Sequence, residues 1–272
     1  MGRPLQSYDD IAIAELAFYL FALAGGIFLC LKHGFAKNAG FRALIILSLA
    51  RVIGACLRLA TISSPDNINL YIGWMTLEGI GLAPLIMLAL GLLTRVFESI
   101  QTKGRTLIRP QHQKFVELLM LLAIILLIVG GTESDFTIVD GKPKVKYSTV
   151  SHAAEGILVA ITALLAFAIV LAILNQSHVG AGEHRIIFTV AVCFPLILVR
   201  LVYSCLLIFG GITSTPWLYL GMSSLMEMII TLLSEILGFN LDKVVPQPVP
   251  RSDEEMQAFS SKSENCFEGG LH

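Results

Sequence analysis

Charge is what this 272-residue chain has least of. Asp, Glu, Lys and Arg together make up 14% of it, whereas a soluble globular domain carries roughly 25%. That shortage excludes a soluble globular enzyme. Neither sign is in excess, with 19 basic and 20 acidic residues and a net charge of −1, so nothing in the charge points to a nucleic-acid partner. Cysteine is sparse as well. Cys30, Cys56, Cys193 and Cys205 lie in apolar runs and Cys266 near the C-terminus; no pair is placed for an extracellular disulfide. No Cys/His spacing resembles a metal site, so neither a metal nor another cofactor is expected. Apolar residues, by contrast, make up 55% of the chain and the mean hydropathy is +0.77, far too much apolar surface for a disordered protein. What remains is an all-α, polytopic membrane protein.

A transmembrane helix needs about 20 predominantly apolar residues. Seven stretches meet that requirement: Ile11–Leu31, Ala43–Thr61, Leu70–Thr94, Phe115–Gly131, Val150–Leu174, Ile186–Phe209 and Trp217–Gly238. They predict a seven-helix bundle over residues 1–238. The first stretch is preceded by Asp9 and Asp10 rather than by a basic run, and it is long enough to span, so it reads as a retained helix and not a signal peptide. Residues 239–272 differ in kind. Pro246, Pro248 and Pro250 precede Asp253, Glu254 and Glu255, a composition that predicts a polar, disordered tail.

Lys and Arg set the orientation. With the N-terminus outside or lumenal, the inner segments hold Lys32, Lys37, Arg42, Arg95, Lys103, Arg105, Arg109, Lys114, Arg185, Lys243, Arg251 and Lys262, twelve in all, and the outer ones only Arg3, Lys142, Lys144 and Lys146. The C-terminus is therefore expected in the cytosol. In that orientation the sequon Asn175-Gln-Ser177 is cytosolic and stays unmodified.

The informative residues are those an inert bundle avoids. An ionised side chain at mid-span costs about 2.5–3.5 kcal/mol on insertion scales. Glu15, Arg51, Arg58, Glu78, Glu155, Arg200 and Glu227 all fall within the spans, an unfavourable sum of roughly 20 kcal/mol unless they pair or reach water. Pairing is expected. All seven fall at the midplane or in the outer half, with His152 near the outer surface, so they predict a polar cavity entered from that side. Glu117 and Glu235, nearer the inner ends, are expected to snorkel toward headgroups. Helical spacing puts Trp74 with Glu78, Arg200 with Tyr203, and Glu227 with Thr231 and Ser234 on shared faces. Gly79, Gly81 and Pro84 permit a kink in span three just below Glu78. Pro195, five residues before Arg200, frees a carbonyl that could solvate its guanidinium. Each charged residue has a plainer reading too, as half of an interhelical ion pair that only fixes the bundle. Trp74 and Tyr203 have theirs, as packing or interface anchors. The Leu/Ile-rich fourth span carries no chemistry and faces lipid.

Several seven-helix classes are excluded. A retinal protein needs a lysine in mid-span seven, and the first lysine after span seven begins is Lys243. Rhodopsin-like receptors close helix three with an acidic-Arg-aromatic run, and here the sequence is Leu93-Thr94-Arg95-Val96. Seven-helix metal hydrolases need several histidines and an aspartate at depth; the expected spans offer only His152 and no Asp. No internal repeat marks a secondary transporter.

The run Glu78-Gly-Ile-Gly-Leu-Ala-Pro-Leu-Ile-Met-Leu-Ala-Leu-Gly-Leu-Leu-Thr-Arg95 resembles the third helix of an uncharacterised fungal family of seven-helix integral membrane proteins. Arg51-Val-Ile-Gly-Ala55, Phe194-Pro-Leu-Ile-Leu-Val-Arg-Leu-Val-Tyr-Ser204 and the acidic last helix at Met226-Glu227 are similar to it too, and the resemblance covers about residues 11–240. That family is distantly similar to fungal lipid-translocating exporters, and the resemblance implies a fungal, multi-pass endomembrane protein. Small seven-helix fungal terpene cyclases are alike in architecture, in size, helix number and intramembrane acids.

Two functions follow as expectations. The first is an enzyme acting on a lipidic isoprenoid, a terpene or meroterpenoid cyclase of fungal secondary metabolism. It needs a carboxylic acid kept neutral by an apolar site and aromatic faces for developing cations. Glu78 and Glu227 are the expected acids. Trp74 and Tyr203 are the aromatics, and Arg51, Arg200 and Glu155 line the substrate site. An arginine close to the acid works against this chemistry by favouring the ionised form, so at least one acid must escape pairing. The second is a translocator or sensor of amphiphilic small molecules, which tolerates fully paired charges. A scaffold role in the endomembrane system is the plainest alternative.

Overall fold

The computed structural model describes residues 4–33, 39–65, 67–102, 110–139, 142–175, 184–212 and 214–241. The expected tail falls almost wholly outside them, as do Lys37, Lys103, Arg105, Arg109, Lys243 and Cys266. Seven segments are long and apolar enough to cross a membrane: Ser7–Lys32, Gly40–Ser63, Ile68–Phe97, Lys114–Glu133, Thr149–Leu174, His184–Ile208 and Pro216–Asn240. Each expected span lies within one of these, except that the sixth ends one residue earlier than expected.

In chain order the elements are α1 (Ser7–His33), α2 (Ala39–Ser63), α3 (Ile68–Ile80), α4 (Leu82–Thr102), α5 (Pro110–Glu133), β1 (Asp135–Val139), β2 (Lys142–Lys146), α6 (Thr149–Leu174), α7 (His184–Ile208), α8 (Pro216–Tyr219) and α9 (Leu225–Asn240), with one π-helical turn at Leu220–Ser224. Span three is thus two helices, α3 and α4, broken at Gly81. Span seven is α8, the π turn and α9. Both irregularities belong to the two spans that carry Glu78 and Glu227.

Span three is the hub. It is 72% buried over its apolar window against 22% for span four, and α4 packs against α2, α5, α6 and α7. Leu82, Ala83, Leu85 and Ile86 are fully enclosed. Span four instead leaves Leu118, Leu121, Leu122 and Ile125 exposed, consistent with a lipid-facing helix. Lipid is as apolar as these side chains, so close packing rather than water exclusion holds the helices together. Gly130 shows how close: a Cβ there would stand 2.5 Å from Ser151 Oγ, so α5 and α6 touch only because position 130 has no side chain.

The loop after span four forms an antiparallel hairpin, pairing Asp135 with Lys146 and Val139 with Lys142. Alternation over so short and charged a stretch is too weak to mark strands. The hairpin is stitched to the bundle at its base. Ser134 Oγ donates to the Gly130 carbonyl at 2.6 Å and accepts from Ser148 N–H at 3.1 Å, and Ser148 caps α6 by accepting from Ser151 N–H. This base holds Tyr147 against the bundle.

Candidate functional site

Three spans meet at one carboxylate. Arg51 Nη2 on α2 and Arg200 Nε on α7 both donate to Glu227 Oε1 on α9, the second at 2.7 Å. All three side chains are buried. The pairing expected from the insertion cost is therefore present, in a triad that carries one net positive charge.

The helix break positions the triad. Pro84 has no N–H, so the turn before it cannot complete its hydrogen bonds, and Gly81 N–H bonds instead to the Glu78 carbonyl at 3.2 Å. That same carbonyl accepts Arg200 Nη2 at 2.9 Å. The carbonyl that solvates Arg200 is thus the one at the break in span three. The sequence pointed to Pro195, which does lie inside α7. Gly81 also makes room: a Cβ there would stand 2.6 Å from Arg51 Nη2 and 3.0 Å from Glu227 Oε1.

Arg200 has claimed the backbone of Glu78, and the Glu78 carboxyl makes no ion pair or hydrogen bond to any described residue. It lies half-buried, within electrostatic reach of Arg200 and Arg51. Glu155, fully enclosed on α6, accepts a weak bond from Cys205 Sγ at 3.6 Å and also feels Arg200. Tyr147 reaches the same group from the base of the hairpin. Burial first, then the Glu78 carboxylate, holds its phenol above the ordinary tyrosine range. Tyr203 stacks 5.5 Å from the Arg200 guanidinium and hydrogen-bonds Ser214 Oγ at 2.8 Å. Glu78, Glu155, Arg51, Arg200, Tyr203 and Glu227 therefore converge.

Trp74 serves a second cluster nearer the N-terminal end of span one. Its ring lies 4.6 Å from the Arg58 guanidinium, with Tyr8 at 5.2 Å and Tyr71 at 5.8 Å. Arg58 Nε donates to Asp9 Oδ1 at 2.9 Å and Nη2 to Gln6 Oε1 at 3.2 Å. Span one starts earlier than its apolar run suggests, and this places Asp9 inside the first helix as the buried partner of Arg58. The sequence reading treated Asp9 only as a flanking charge. Tyr219 OH, just before the π turn, donates to Glu15 Oε1 at 2.7 Å, so Glu15 too has its partner. Neither Asp9 nor Tyr219 was legible as a partner, because each pairing joins residues far apart in the chain and follows no helical spacing. His152 is half-buried: Nδ1 lies 2.8 Å from the Ser148 carbonyl and the ring meets Phe209 edge-on at 5.3 Å. Glu235 is half-buried, with its Oε1 enclosed beside Gly25.

Two cavities lie away from the Arg51–Arg200–Glu227 triad. One is a void of about 10 Å³ among α4, α7 and α9. The other is a groove of about 550 Å³ between the start of α7 and the end of α9. Among the described residues, no three His, Cys, Asp or Glu side chains gather as metal ligands.

One family model matches residues 5–244, which covers all seven spans and both charge clusters. The chain belongs to the DUF7702 family, a domain of unknown function. The resemblance to an uncharacterised family is borne out at that level. No curated protein matches the chain.

Proposed function

We propose that this member of the family is an intramembrane enzyme acting on a lipidic isoprenoid, an acid-initiated terpene or meroterpenoid cyclase of fungal secondary metabolism in an endomembrane. The observation that carries this reading is the division of labour between the two central acids. Glu227 takes up both arginines, and Arg200 reaches only the backbone of Glu78. Acid initiation needs a carboxylic acid with no cation bonded to it, and the Glu78 carboxyl has no ion pair or hydrogen bond to any described residue.

In this mechanism Glu78 protonates an olefin or epoxide of the substrate. The π pair of an olefin takes the proton and leaves a carbocation on the other carbon, or a lone pair of the epoxide oxygen takes it and the ring C–O bond breaks to give a hydroxyl and a carbocation; a neighbouring double bond then attacks that cation. Loss of a proton to a base ends the sequence. Tyr203 and Tyr147 supply aromatic faces toward the developing cation. Arg51, Arg200 and Glu227 act as positioning residues that hold the α3–α4 break open.

A second reading, a translocator or sensor of amphiphiles, is favoured by one observation: the triad is paired and the 550 Å³ groove lies elsewhere. Microsomal assay against farnesyl-bearing substrates and their epoxides separates the two. Turnover by the wild-type protein that Glu78→Gln abolishes, with at least about a hundredfold loss, supports the enzyme. Equal turnover by Glu78→Gln removes its role as acid. No turnover by the wild-type protein on any such substrate favours the second reading.

A further inference from the structure

The 550 Å³ groove lies on the lipid-facing side of the bundle, lined by His184, Arg185, Phe188, Thr189, Leu233, Ile236, Leu237 and Asn240. It lies within the size range of small-molecule sites, about 300–1,000 Å³. Its chemistry is graded along the membrane normal. His184 and Asn240 are the end residues of spans six and seven, so they and Arg185 stand at headgroup level. Phe188 is one turn deeper, about 6 Å at helical rise, and Leu233 lies about 10 Å in. The mouth is polar and the walls are apolar.

Among the described residues, the polar atoms at the mouth are the Arg185 guanidinium, the His184 ring and the Asn240 amide, with the Thr189 hydroxyl below, and none of those lining the groove is a carboxylate. Arg185 and His184 are exposed, and neither has an ion-pair partner among the described residues. They open α7, whose N-terminal dipole adds positive potential at the same point. A guanidinium with five donors matches a phosphate in two-bond geometry. Thr189 also borders the small void, which continues past Cys193 to Ile230 and Ser234.

We infer that this groove is a binding site for one anionic glycerophospholipid, its phosphate on Arg185 and an acyl chain against Phe188, Leu233 and Ile236. Basic pockets between transmembrane helices recognise anionic headgroups in this way. This site is remote from the Glu78 cluster and stands whether or not that cluster is catalytic.

The test uses the full chain, purified in detergent and offered equal phosphatidylglycerol and phosphatidylcholine, with retained lipid read by native mass spectrometry. Phosphatidylglycerol is expected to be retained several-fold over phosphatidylcholine. Arg185→Gln, an exposed change that leaves the bundle intact, lowers that preference by about fivefold. Ile236→Trp, which fills the groove, lowers retention of both lipids. Lys146→Gln, on the hairpin, leaves the preference unchanged. Equal retention of the two lipids by the wild-type protein, or an undiminished preference in Arg185→Gln, overturns the assignment.

Discussion

Glu227 is the residue on which the bundle's buried charge is balanced. With two arginines bonded to one of its oxygens, Glu227→Gln leaves two guanidiniums in an enclosed site with no anion bonded to them. Breaking a buried pair in this way costs about 3–5 kcal/mol. A lower thermal midpoint in detergent checks it, and an unshifted midpoint would show that the triad does not hold the spans together. Gly81 gives a gentler test of the same geometry. Gly81→Ala pushes a methyl group against Arg51 and Glu227 and is expected to destabilise by about 1–3 kcal/mol. Gly79→Ala, two residues away with nothing within 4 Å of its Cβ, stays within about 0.5 kcal/mol. Equal melting of the two alanine variants would count against the close approach at Gly81.

At the scale of elements, two interrupted spans carry the two central acids. The break at Gly81 exposes the Glu78 carbonyl to Arg200, and the π turn at Leu220–Ser224 sets Tyr219 on Glu15 just above Glu227. Such single-turn widenings concentrate at functional sites. Tyr219→Phe removes the hydrogen bond that joins this turn to Glu15 and is expected to destabilise by about 1 kcal/mol; an unshifted melting curve would leave that bond without a structural role. The span-three kink was legible, because Gly79, Gly81 and Pro84 mark it in the sequence. The π turn was not, since Leu-Gly-Met-Ser-Ser carries no signal that separates it from ordinary helix. The hairpin was missed for a related reason, its strands being short and rich in lysine. It matters because its base brings Tyr147 to the charge cluster.

Across the whole molecule, the seven spans were legible from apolar run length alone, since lipid leaves the backbone no alternative to helix. The convergence of Arg51, Arg200 and Glu227 was legible only as a requirement: charges at that depth must pair, but partner choice is tertiary. Hence Arg58 found Asp9, and Trp74 went to Arg58 rather than to the acid beside it on its own helix. The Lys/Arg bias makes its own prediction about orientation. A glycosylation sequon introduced beside the hairpin is expected to acquire a glycan in microsomes, while Asn175 stays bare. A glycan on Asn175 would invert the arrangement. The most direct measurement, however, concerns the two acids themselves. A hydrophobic carbodiimide modifies carboxyl groups that carry a proton inside the membrane, and mass spectrometry of labelled, intact membranes reads the result residue by residue. Modification of Glu78 with Glu227 spared is the expected outcome; modification of Glu227 with Glu78 spared would contradict the division between a free acid and a paired one.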